Sequence, residues 1–382
     1  MKTYDVLVIG GGSVGLPVAL FLAKKGLSVG VVEKMPSVGR GQNRAAIGGI
    51  RATHSDPAKI AICLKALDVV RHMERDYGMD VDWIEGGYLY PVYDPRKEKA
   101  LKDLLVIQNR HGLDIGWVGP ERVKELVPGI NPNGLRGGTF SPHDGSASPL
   151  KVADAFYKLA CDAGVDFRFG ESVGSVSAEG RRVVRVRTDK DEYAFGTLVN
   201  AAGADARRVG ALSGLDLPVY PDCHEAGITE PVKRFFQPMV VDIRADSESA
   251  NYYFYQNKED QVVFCITPEP KILGQDMDNT SSFLPLVVRR MVELYPRLRN
   301  LRIRRTWRGL YPMTPDGFPV VGRPRDFDNL MLAVGMCGQG FMLGPGLGVI
   351  LAEVLVDGST AYDHIFEQLT LYRDFSGMEM LK

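Results

Sequence analysis

Residues 5–15 read Asp-Val-Leu-Val-Ile-Gly-Gly-Gly-Ser-Val-Gly, and this stretch decides the fold. The apolar, β-branched run over 5–9 is typical of a strand buried on both faces. Helical periodicity follows over 14–25, and residues 28–33 have the pattern of a second strand. The segment therefore predicts a β-α-β unit with a glycine-rich turn after its first strand.

The three spaced glycines of this turn fit the pattern G-x-G-x-x-G. Gly10 permits the tight turn, Gly12 lets backbone amides approach a pyrophosphate, and Gly15 permits close packing of helix on strand. Glu33 ends the second strand, where its carboxylate can accept hydrogen bonds from a ribose hydroxyl. An acid there disfavours a 2′-phosphate, so we expect an unphosphorylated dinucleotide that contains ADP. The alternative is a glycine-rich turn without a ligand.

The composition excludes several functional classes. The 382 residues include 46 basic and 47 acidic side chains, and a net charge of −1 argues against nucleic acid as the main partner. Five scattered cysteines without a C-x-x-C pair, and histidines without ligand spacing, predict neither a disulfide framework nor a metal site. We see no signal peptide and no run near the ~20 apolar residues of a membrane span. We therefore expect a cytoplasmic protein, with peripheral binding at the inner membrane face as the alternative.

A second glycine-rich turn lies far along the chain. Residues 335–341 read Gly-Met-Cys-Gly-Gln-Gly-Phe, and a helix pattern follows over 344–356 with Pro345 able to begin it. The N-terminus of such a helix can stabilise negative charge on the pyrimidine edge of a reduced flavin, which favours FAD over NAD. The alternative is a helix entry that serves packing alone.

Five motifs together resemble a known family. They are Gly10 to Gly15 with Glu33, Gly48-Gly49-Ile50-Arg51, Asn200-Ala201-Ala202-Gly203, Thr314-Pro315-Asp316-Gly317 and Gly338-Gln339-Gly340-Phe341. Their order resembles that in the FAD-dependent D-amino-acid oxidase, glycine oxidase and sarcosine oxidase family, over nearly the whole chain. Within it the sequence is most similar to sarcosine oxidase and to the catalytic subunit of dye-linked L-proline dehydrogenases.

The resemblance implies a fold of class α/β + α+β. A Rossmann-like FAD-binding domain is then interleaved with an antiparallel-sheet substrate domain. The expected FAD-binding segments are 1–83, 144–213 and 314–382, and the expected substrate (cap) segments are 84–143 and 214–313.

The resemblance also implies a set of residues that hold FAD. They are Gly10, Gly12, Ser13, Val14, Gly15, Glu33, Lys34, Asn43, Arg44, Ala45, Gly48, Gly49, Val173, Ala201, Gly203, Gly309, Gly338, Gln339, Gly340, Phe341 and Met342. Gly309 stands where monomeric sarcosine oxidases have a cysteine bonded to the flavin, so FAD is expected to be non-covalent.

The substrate residues implied by the resemblance are Arg51, Tyr253, Tyr311 and Met342, the first three with catalytic roles. A planar guanidinium can hold a carboxylate through two parallel hydrogen bonds. The alternative for Arg51 is an ion pair with Asp56, and the alternative for Tyr311 is a place in the core. Tyr252 and Tyr253 are strand neighbours that face opposite ways, and we expect Tyr253 to line the pocket.

Two histidines invite a role as catalytic base. His54 follows Arg51 by three residues, and His224 stands near the start of a strand pattern. We interpret both as structural histidines, because hydride transfer from a neutral amine needs a pocket that disfavours the ammonium form rather than a strong base.

The family reaction implied is oxidation of the C–N bond of a small amino acid, a sarcosine- or proline-like secondary amine. Hydride passes to flavin N5 and leaves an imine that hydrolyses. Val263 aligns loosely with the lysine that assists oxygen activation in sarcosine oxidases, which favours a dehydrogenase. The acceptor is then a quinone, a dye-like carrier or a partner subunit, with O₂ as the alternative. Two other hypotheses stay open: oxidation of a 2-hydroxy acid, and a flavin subunit active only within a hetero-oligomer. A homo-oligomer is the alternative assembly.

Overall fold

A computed structural model describes residues 1–381. The helices are α1 Gly15–Lys24, α2 Pro57–Arg71, α3 Met73–Tyr77, α4 Pro95–Arg110, α5 Pro120–Leu126, α6 Pro149–Asp162, α7 Ala206–Ala211, α8 Phe283–Leu294, α9 Gly340–Asp357 and α10 Asp363–Gln368. Short 3₁₀ turns lie at Gln42–Ala45, Gly203–Asp205 and Pro296–Asn300.

The strands are β1 Lys2–Ile9, β2 Val29–Glu33, β3 Gly49–Ile50, β4 Tyr88–Val92, β5 Gly116–Val118, β6 Gly137–Ser141, β7 Gly145–Ser146, β8 Asp166–Phe169, β9 Val173–Glu179, β10 Arg182–Thr188, β11 Glu192–Asn200, β12 Tyr220–Pro231, β13 Met239–Asp242, β14 Ser249–Gln256, β15 Gln261–Pro268, β16 Ile303–Met313, β17 Val320–Gly322 and β18 Leu330–Val334.

The first sheet is a Rossmann-like layer. Strands β18, β11, β1, β2 and β8 lie side by side and run parallel, while β17 pairs antiparallel with β18. Strands β9 and β10 form an antiparallel extension from β11. The carboxyl ends of β1, β2 and β11 meet at one edge of the sheet, where ligands of open parallel sheets bind.

Helices cover one face of this sheet through close backbone contacts. Helix α9 packs between α1 and α2, and its glycines allow the approach. A Cβ atom at Gly344 would lie 1.8 Å from the Ser13 carbonyl oxygen, and one at Gly346 would lie 2.0 Å from that of Ile62. This packing buries one continuous apolar core against β1 and β2.

The second sheet caps the first. Its strand order is β16-β12-β15-β14-β13-β4-β6-β5, antiparallel except for the parallel pair β13–β4. One face packs on α8 through residues such as Phe254, Phe264 and Val287. These strands fall within 84–143 and 214–313, and the strands of the first sheet fall outside those ranges. The architecture confirms the predicted fold class, a Rossmann-like domain with an antiparallel-sheet domain, and the domain boundaries stay a prediction.

One helix differs from the sequence prediction. Helix α9 begins at Gly340 rather than at Pro345, which lies inside it. Within residues 1–381, α9 is also the one helix long and apolar enough to span a membrane, at 18 residues. Because most of it is buried against α1 and α2, we assign it to the core of the protein.

Candidate active site

A cavity of about 360 Å³ lies between the carboxyl edge of the first sheet and the cap sheet. Its lining comes from the turns after β1, β2 and β11, from the segment 41–51, and from the N-terminus of α9. The cap contributes one face of β4 and β12 to β16. Segments from both ends of the chain thus form a single site.

The glycine-rich turn has the geometry that its spacing predicts. Gly10 has a φ of +108°, and a Cβ there would lie 2.5 Å from the Ala201 carbonyl oxygen. A Cβ at Gly15 would lie 1.9 Å from the Gly10 oxygen, so this glycine permits the packing of α1. A Cβ at Gly12 would meet no atom of residues 1–381 within 4 Å, because that side of the turn is open to the cavity.

Glu33 holds this turn in place. Its Oε2 accepts a hydrogen bond from the Gly11 amide, and its Oε1 accepts one from the Met35 amide, each at 2.8 Å. The carboxylate is nearly buried and lines the cavity. Each oxygen keeps a second lone pair for a ligand hydroxyl.

The second glycine-rich turn joins the first. Gly338, Gln339 and Gly340 line the cavity at the start of α9, and a Cβ at Gly340 would lie 3.3 Å from Ser13 Oγ. The N-termini of α1 and α9 therefore converge on one cavity. The free amides and positive dipole ends of two helices favour an anionic ligand there.

Two buried acceptor atoms fit a ligand rich in hydroxyl and N–H groups. Asn43 Nδ2 donates to the Pro149 carbonyl oxygen at 2.9 Å, but Asn43 Oδ1 has no hydrogen-bond partner within residues 1–381. Gln339 Oε1 is likewise buried and unpartnered among these residues. Both side chains line the cavity, so the chain presents the acceptors and the amide donors that FAD requires.

Arg51 lines the cavity in a buried setting. Its Nη1 donates to the Thr53 carbonyl oxygen and its Nη2 to that of Leu381, at 2.5 Å for the second bond. Burial opposes its charge, but Tyr90, Tyr88 and Glu379 keep the pKa of Arg51 above its ordinary value. Part of the guanidinium is therefore engaged by the polypeptide itself.

The alternative pairing of Arg51 with Asp56 does not occur. Asp56 Oδ1 instead accepts a hydrogen bond from the Lys59 amide at 3.0 Å and caps α2, with Pro57 in the first turn.

The two predicted tyrosines meet on the cap face of the cavity. The hydroxyl groups of Tyr253 and Tyr311 lie 3.0 Å apart. Burial raises the pKa of each phenol well above its ordinary value, so both keep their protons and can donate hydrogen bonds. Tyr252 lies on the opposite face, where its hydroxyl donates to Asp242 at 2.8 Å.

Of the 24 residues predicted to bind the cofactor or the substrate, 22 line the cavity, and Met342 is one of them. Gly15 and Arg44 are the exceptions. Gly15 lies beneath the turn against Gly10, and Arg44 is exposed on the outer side of the 3₁₀ turn whose neighbours Asn43 and Ala45 face inward. Arg44 therefore does not line the cavity, and its contact with the cofactor stays a prediction.

The structure adds residues that sequence reasoning missed. They are Tyr88, Tyr90, Asp222 and Cys265, all of which line the cavity, as does His224, which the sequence analysis interprets as structural. Strand register connects them to the predicted tyrosines: Tyr253 pairs with Cys265, and Tyr311 pairs with Asp222. Because paired residues share a face, a correct strand alignment would have found them.

The two histidines have different surroundings. His54 does not line the cavity: its Nδ1 lies 3.1 Å from Arg51 Nη1, and its Nε2 lies 3.3 Å from Cys63 Sγ. Burial and the charges of Arg51 and Lys59 hold the pKa of His54 well below its ordinary value. His54 thus has the contacts of a structural histidine, whereas His224 borders the cavity.

Comparison with known proteins identifies the group to which this site belongs. The family model DAO, described as FAD dependent oxidoreductase, matches residues 5–354. The chain is 25% identical to sarcosine oxidase subunit beta of Rhodobacter capsulatus, over 97% of this chain and 89% of that protein. It is 26% identical to hydrogen cyanide synthase subunit HcnC of Pseudomonas aeruginosa, over 95% and 94%.

A solved structure gives the same result. The crystal structure of L-proline dehydrogenase from P. horikoshii superposes with a TM-score of 0.91 and 31% sequence identity, over 97% of this chain and 98% of that one. The glycine-rich turns, the open face at Gly12 and the unpartnered acceptors agree with the cofactor that the family model names. This chain therefore belongs to the DAO family of FAD-dependent oxidoreductases.

Proposed function

We propose that the protein oxidises the C–N bond of a small amino acid that carries a secondary amine, as sarcosine and proline do. The observation that carries the proposal is the placement of Arg51, Tyr253 and Tyr311 around the same cavity as both glycine-rich turns. A buried cation and neutral phenols suit a carboxylate and an amine, which an amino acid presents together. The likeness to a proline dehydrogenase and to a sarcosine oxidase subunit supports this substrate class.

The roles of the residues follow from their chemistry. Arg51 would hold the substrate carboxylate with the N–H groups that Thr53, His54 and Leu381 leave free. The apolar side chains of Met239, Val241 and Met342 border the same space and disfavour the charged ammonium form. FAD supplies the acceptor for the hydride that leaves the substrate carbon, and the resulting imine hydrolyses in water.

We infer that FAD is held without a covalent bond. Gly309 pairs with His224 across β16 and β12, and a Cβ at Gly309 would lie 2.6 Å from Ala45 Cβ. A cysteine side chain at this position would therefore need a displaced 3₁₀ turn. Release of free yellow FAD on denaturation in trichloroacetic acid would support this inference, and retention of colour in the protein pellet would contradict it.

We further propose that the enzyme is a dehydrogenase. Strand β15 carries no lysine, and Val263 does not border the cavity. The neighbouring Cys265 does border it, and burial raises the pKa of this thiol to about 12, so it is uncharged. Lys271, beyond the end of β15, also lines the cavity and makes the inference testable. We expect a dye to reoxidise the reduced protein faster than O₂ does. Fast reoxidation by O₂ in the wild type, abolished in Lys271→Met, would contradict the assignment as a dehydrogenase.

A hetero-oligomer is the proposed working form, because two of the relatives are named as subunits. The purified chain alone would then turn over slowly while its flavin is still reduced by substrate. Equal turnover by the chain alone and by material purified with its native partners would contradict this form.

The experiment that tests the proposed reaction is an anaerobic screen of the yellow protein. L-Proline, sarcosine, glycine, D-amino acids and 2-hydroxy acids are each added while the flavin absorbance near 450 nm is followed. Bleaching by the secondary amines is the expected result. Bleaching by hydroxy acids alone would establish the alternative alcohol chemistry, and failure of every amine would refute the proposal.

A further inference from the structure

Asp222 and His224 form a buried pair beside the predicted tyrosines. His224 Nε2 lies 3.1 Å from Asp222 Oδ2, and both side chains are at least nine-tenths buried. The imidazole stacks on the Tyr311 ring, with centroids 3.7 Å apart and planes 13° apart. Both residues of the pair line the cavity.

Strand geometry explains why the pair shares this face. Asp222 is opposite Tyr311 in the pairing of β12 with β16, and His224 follows two residues later on the same face of β12. Ala226, two residues further, is opposite Cys265, which is opposite Tyr253. The pair therefore belongs to the wall that carries the predicted catalytic phenols.

The other ring nitrogen of His224 has no hydrogen-bond partner within residues 1–381, although it is buried. A buried polar atom without a partner destabilises the folded protein, and such atoms in native proteins call for an explanation. His54 offers the contrast, because both of its ring nitrogens have partners.

Asp222 decides which nitrogen carries the proton. Its other oxygen, Oδ1, accepts from the Ile272 amide at 2.8 Å, so the carboxylate is fixed in orientation. Burial opposes its charge, but the contact with His224, the hydrogen bond from the Ile272 amide and the charge of Lys271 together outweigh burial and lower the pKa of Asp222. A carboxylate accepts from Nε2–H, and in the neutral imidazole Nδ1 then has a lone pair and no proton.

We propose that His224 Nδ1 is the base that accepts a proton from the substrate's ammonium group, and that Asp222 is its positioning residue. The inference rests on the proposed function. The substrate N–H bond breaks, its electron pair stays on nitrogen as the amine lone pair, and the proton forms a new N–H bond at Nδ1. The imidazolium so formed is stabilised by the Asp222 carboxylate, and its proton later returns to water.

This assignment revises the interpretation of His224 as structural. The pocket still disfavours an ammonium group, and His224 accepts the proton that this group releases. The other titratable groups that line the cavity from the cap are Tyr88, Tyr90, Glu225, Tyr253, Cys265, Glu269, Lys271 and Tyr311, and Arg51 lines the cavity as well.

The test compares the wild type with His224→Phe, which keeps a ring beside Tyr311 and removes both nitrogens. The rate of anaerobic flavin reduction by L-proline is measured from pH 6 to 11 for each protein. A general base typically accelerates a reaction by about 10²–10⁴-fold. We therefore expect flavin reduction in His224→Phe to be at least about 100-fold slower than in the wild type at neutral pH. The difference should shrink towards pH 11, because the substrate then arrives with its amine already neutral.

Asp222→Asn should reduce the rate of flavin reduction by an intermediate factor, and the rate should recover at high pH in the same way. The reason is that the Asn amide can donate to Nε2 and so place the imidazole proton on Nδ1. His143→Phe is the matched control, since His143 is exposed and remote from the cavity. An unchanged rate in His224→Phe, or a loss equal at every pH, would overturn the proposal.

Two further measurements keep the inference separate from other failures. If L-proline and sarcosine do not reduce the wild-type flavin, the proposed function fails first, whatever His224 does. The imidazole ¹⁵N spectrum of the substrate-free holoenzyme, assigned by difference from the His224→Asn protein, reports the tautomer without any turnover. A proton on Nε2 is the expected result, and a proton on Nδ1 in the neutral ring would overturn the proposal.

Discussion

At the scale of single residues, Arg51 shows how a local motif acquires distant partners. The motif Gly48-Gly49-Ile50-Arg51 predicts a cation at the site, and the side chain does border the cavity. Its Nη2, however, donates to the carbonyl of Leu381, which is 330 residues away in the sequence. The C-terminal segment thus helps to fix the orientation of the guanidinium.

Replacement of Arg51 tests its role in substrate binding. Loss of a charged hydrogen bond costs about 2 to 3 kcal/mol of binding free energy. Arg51→Ala should therefore raise the apparent KM by the factor that corresponds to this free energy, while FAD stays bound. Steady-state kinetics and the flavin spectrum measure the two effects. Arg40→Ala, which alters an exposed arginine that does not line the cavity, is the control and should change neither. Unchanged kinetics in Arg51→Ala would remove Arg51 from the site.

Replacement of Gly12 tests the nucleotide turn. The open space at its Cβ position faces the cavity, so Gly12→Val should fill the approach to the backbone amides and abolish FAD binding. Absorbance at 450 nm of the purified protein measures the cofactor content. Gly174→Val, at an exposed strand glycine outside the cavity, should purify yellow. A yellow Gly12→Val protein would contradict the assignment of the turn.

Local patterns predicted the residues whose role depends on near neighbours. The turn glycines and Glu33 act within one β-α-β unit, and the sequence contains all of that information. The unpartnered nitrogen of His224 is not evident in the sequence, because the surroundings of this ring depend on the pairing of β12 with β16. Register between strands some 85 residues apart does not follow from strand propensity alone.

At the scale of elements, glycine serves helix packing as well as the cofactor. The cluster Gly335–Gly348 marks the second turn, but its later members bring α9 against α1 and α2. Glycine also serves packing in the motif Gly48-Gly49-Ile50-Arg51. A Cβ at Gly49 would lie 2.0 Å from the Tyr88 hydroxyl, so close contact with the cap sheet explains this glycine. Close packing also explains why α9 begins at Gly340, since its first turn packs on Ser13.

Gly344→Ala tests this packing. The added methyl group would lie 1.8 Å from a backbone oxygen, and overpacking of this kind costs about 1–3 kcal/mol or more. We expect a lower melting temperature by circular dichroism, together with weaker FAD binding. Val356→Ala, at an exposed position of the same helix, should melt near the wild-type temperature. A Gly344→Ala protein as stable as wild type would show that α1 and α9 are further apart.

At the scale of the whole molecule, a buried ion pair joins the C-terminal segment to helix α2. Lys59 Nζ on α2 lies 2.6 Å from Glu379 Oε2, and both side chains are fully buried. Burial opposes the Glu379 charge, but Lys59 outweighs it and lowers the pKa of Glu379 to about 2 from an ordinary 4.5. The ion pair holds the segment whose Leu381 contacts Arg51.

This pair predicts how stability depends on pH. A carboxyl group whose pKa is lowered by folding stabilises the protein above its ordinary pKa, and that contribution is lost as pH falls towards the folded value. The free energy of unfolding of the wild type should therefore fall by roughly 3 kcal/mol more than that of Glu379→Gln between pH 5 and 2. Urea unfolding at each pH measures this, with Glu367→Gln on exposed α10 as the control. Parallel pH profiles for wild type and Glu379→Gln would contradict the assignment.

The central claim is that this FAD enzyme removes hydride from the carbon beside a secondary amine. Its most direct test is an anaerobic titration of the purified yellow protein with L-proline and, separately, with sarcosine, followed at 450 nm. We expect complete bleaching with about one equivalent of substrate per flavin and formation of one equivalent of imine or its hydrolysis product. A flavin that stays oxidised with both amines, or that bleaches with 2-hydroxy acids instead, would contradict the claim.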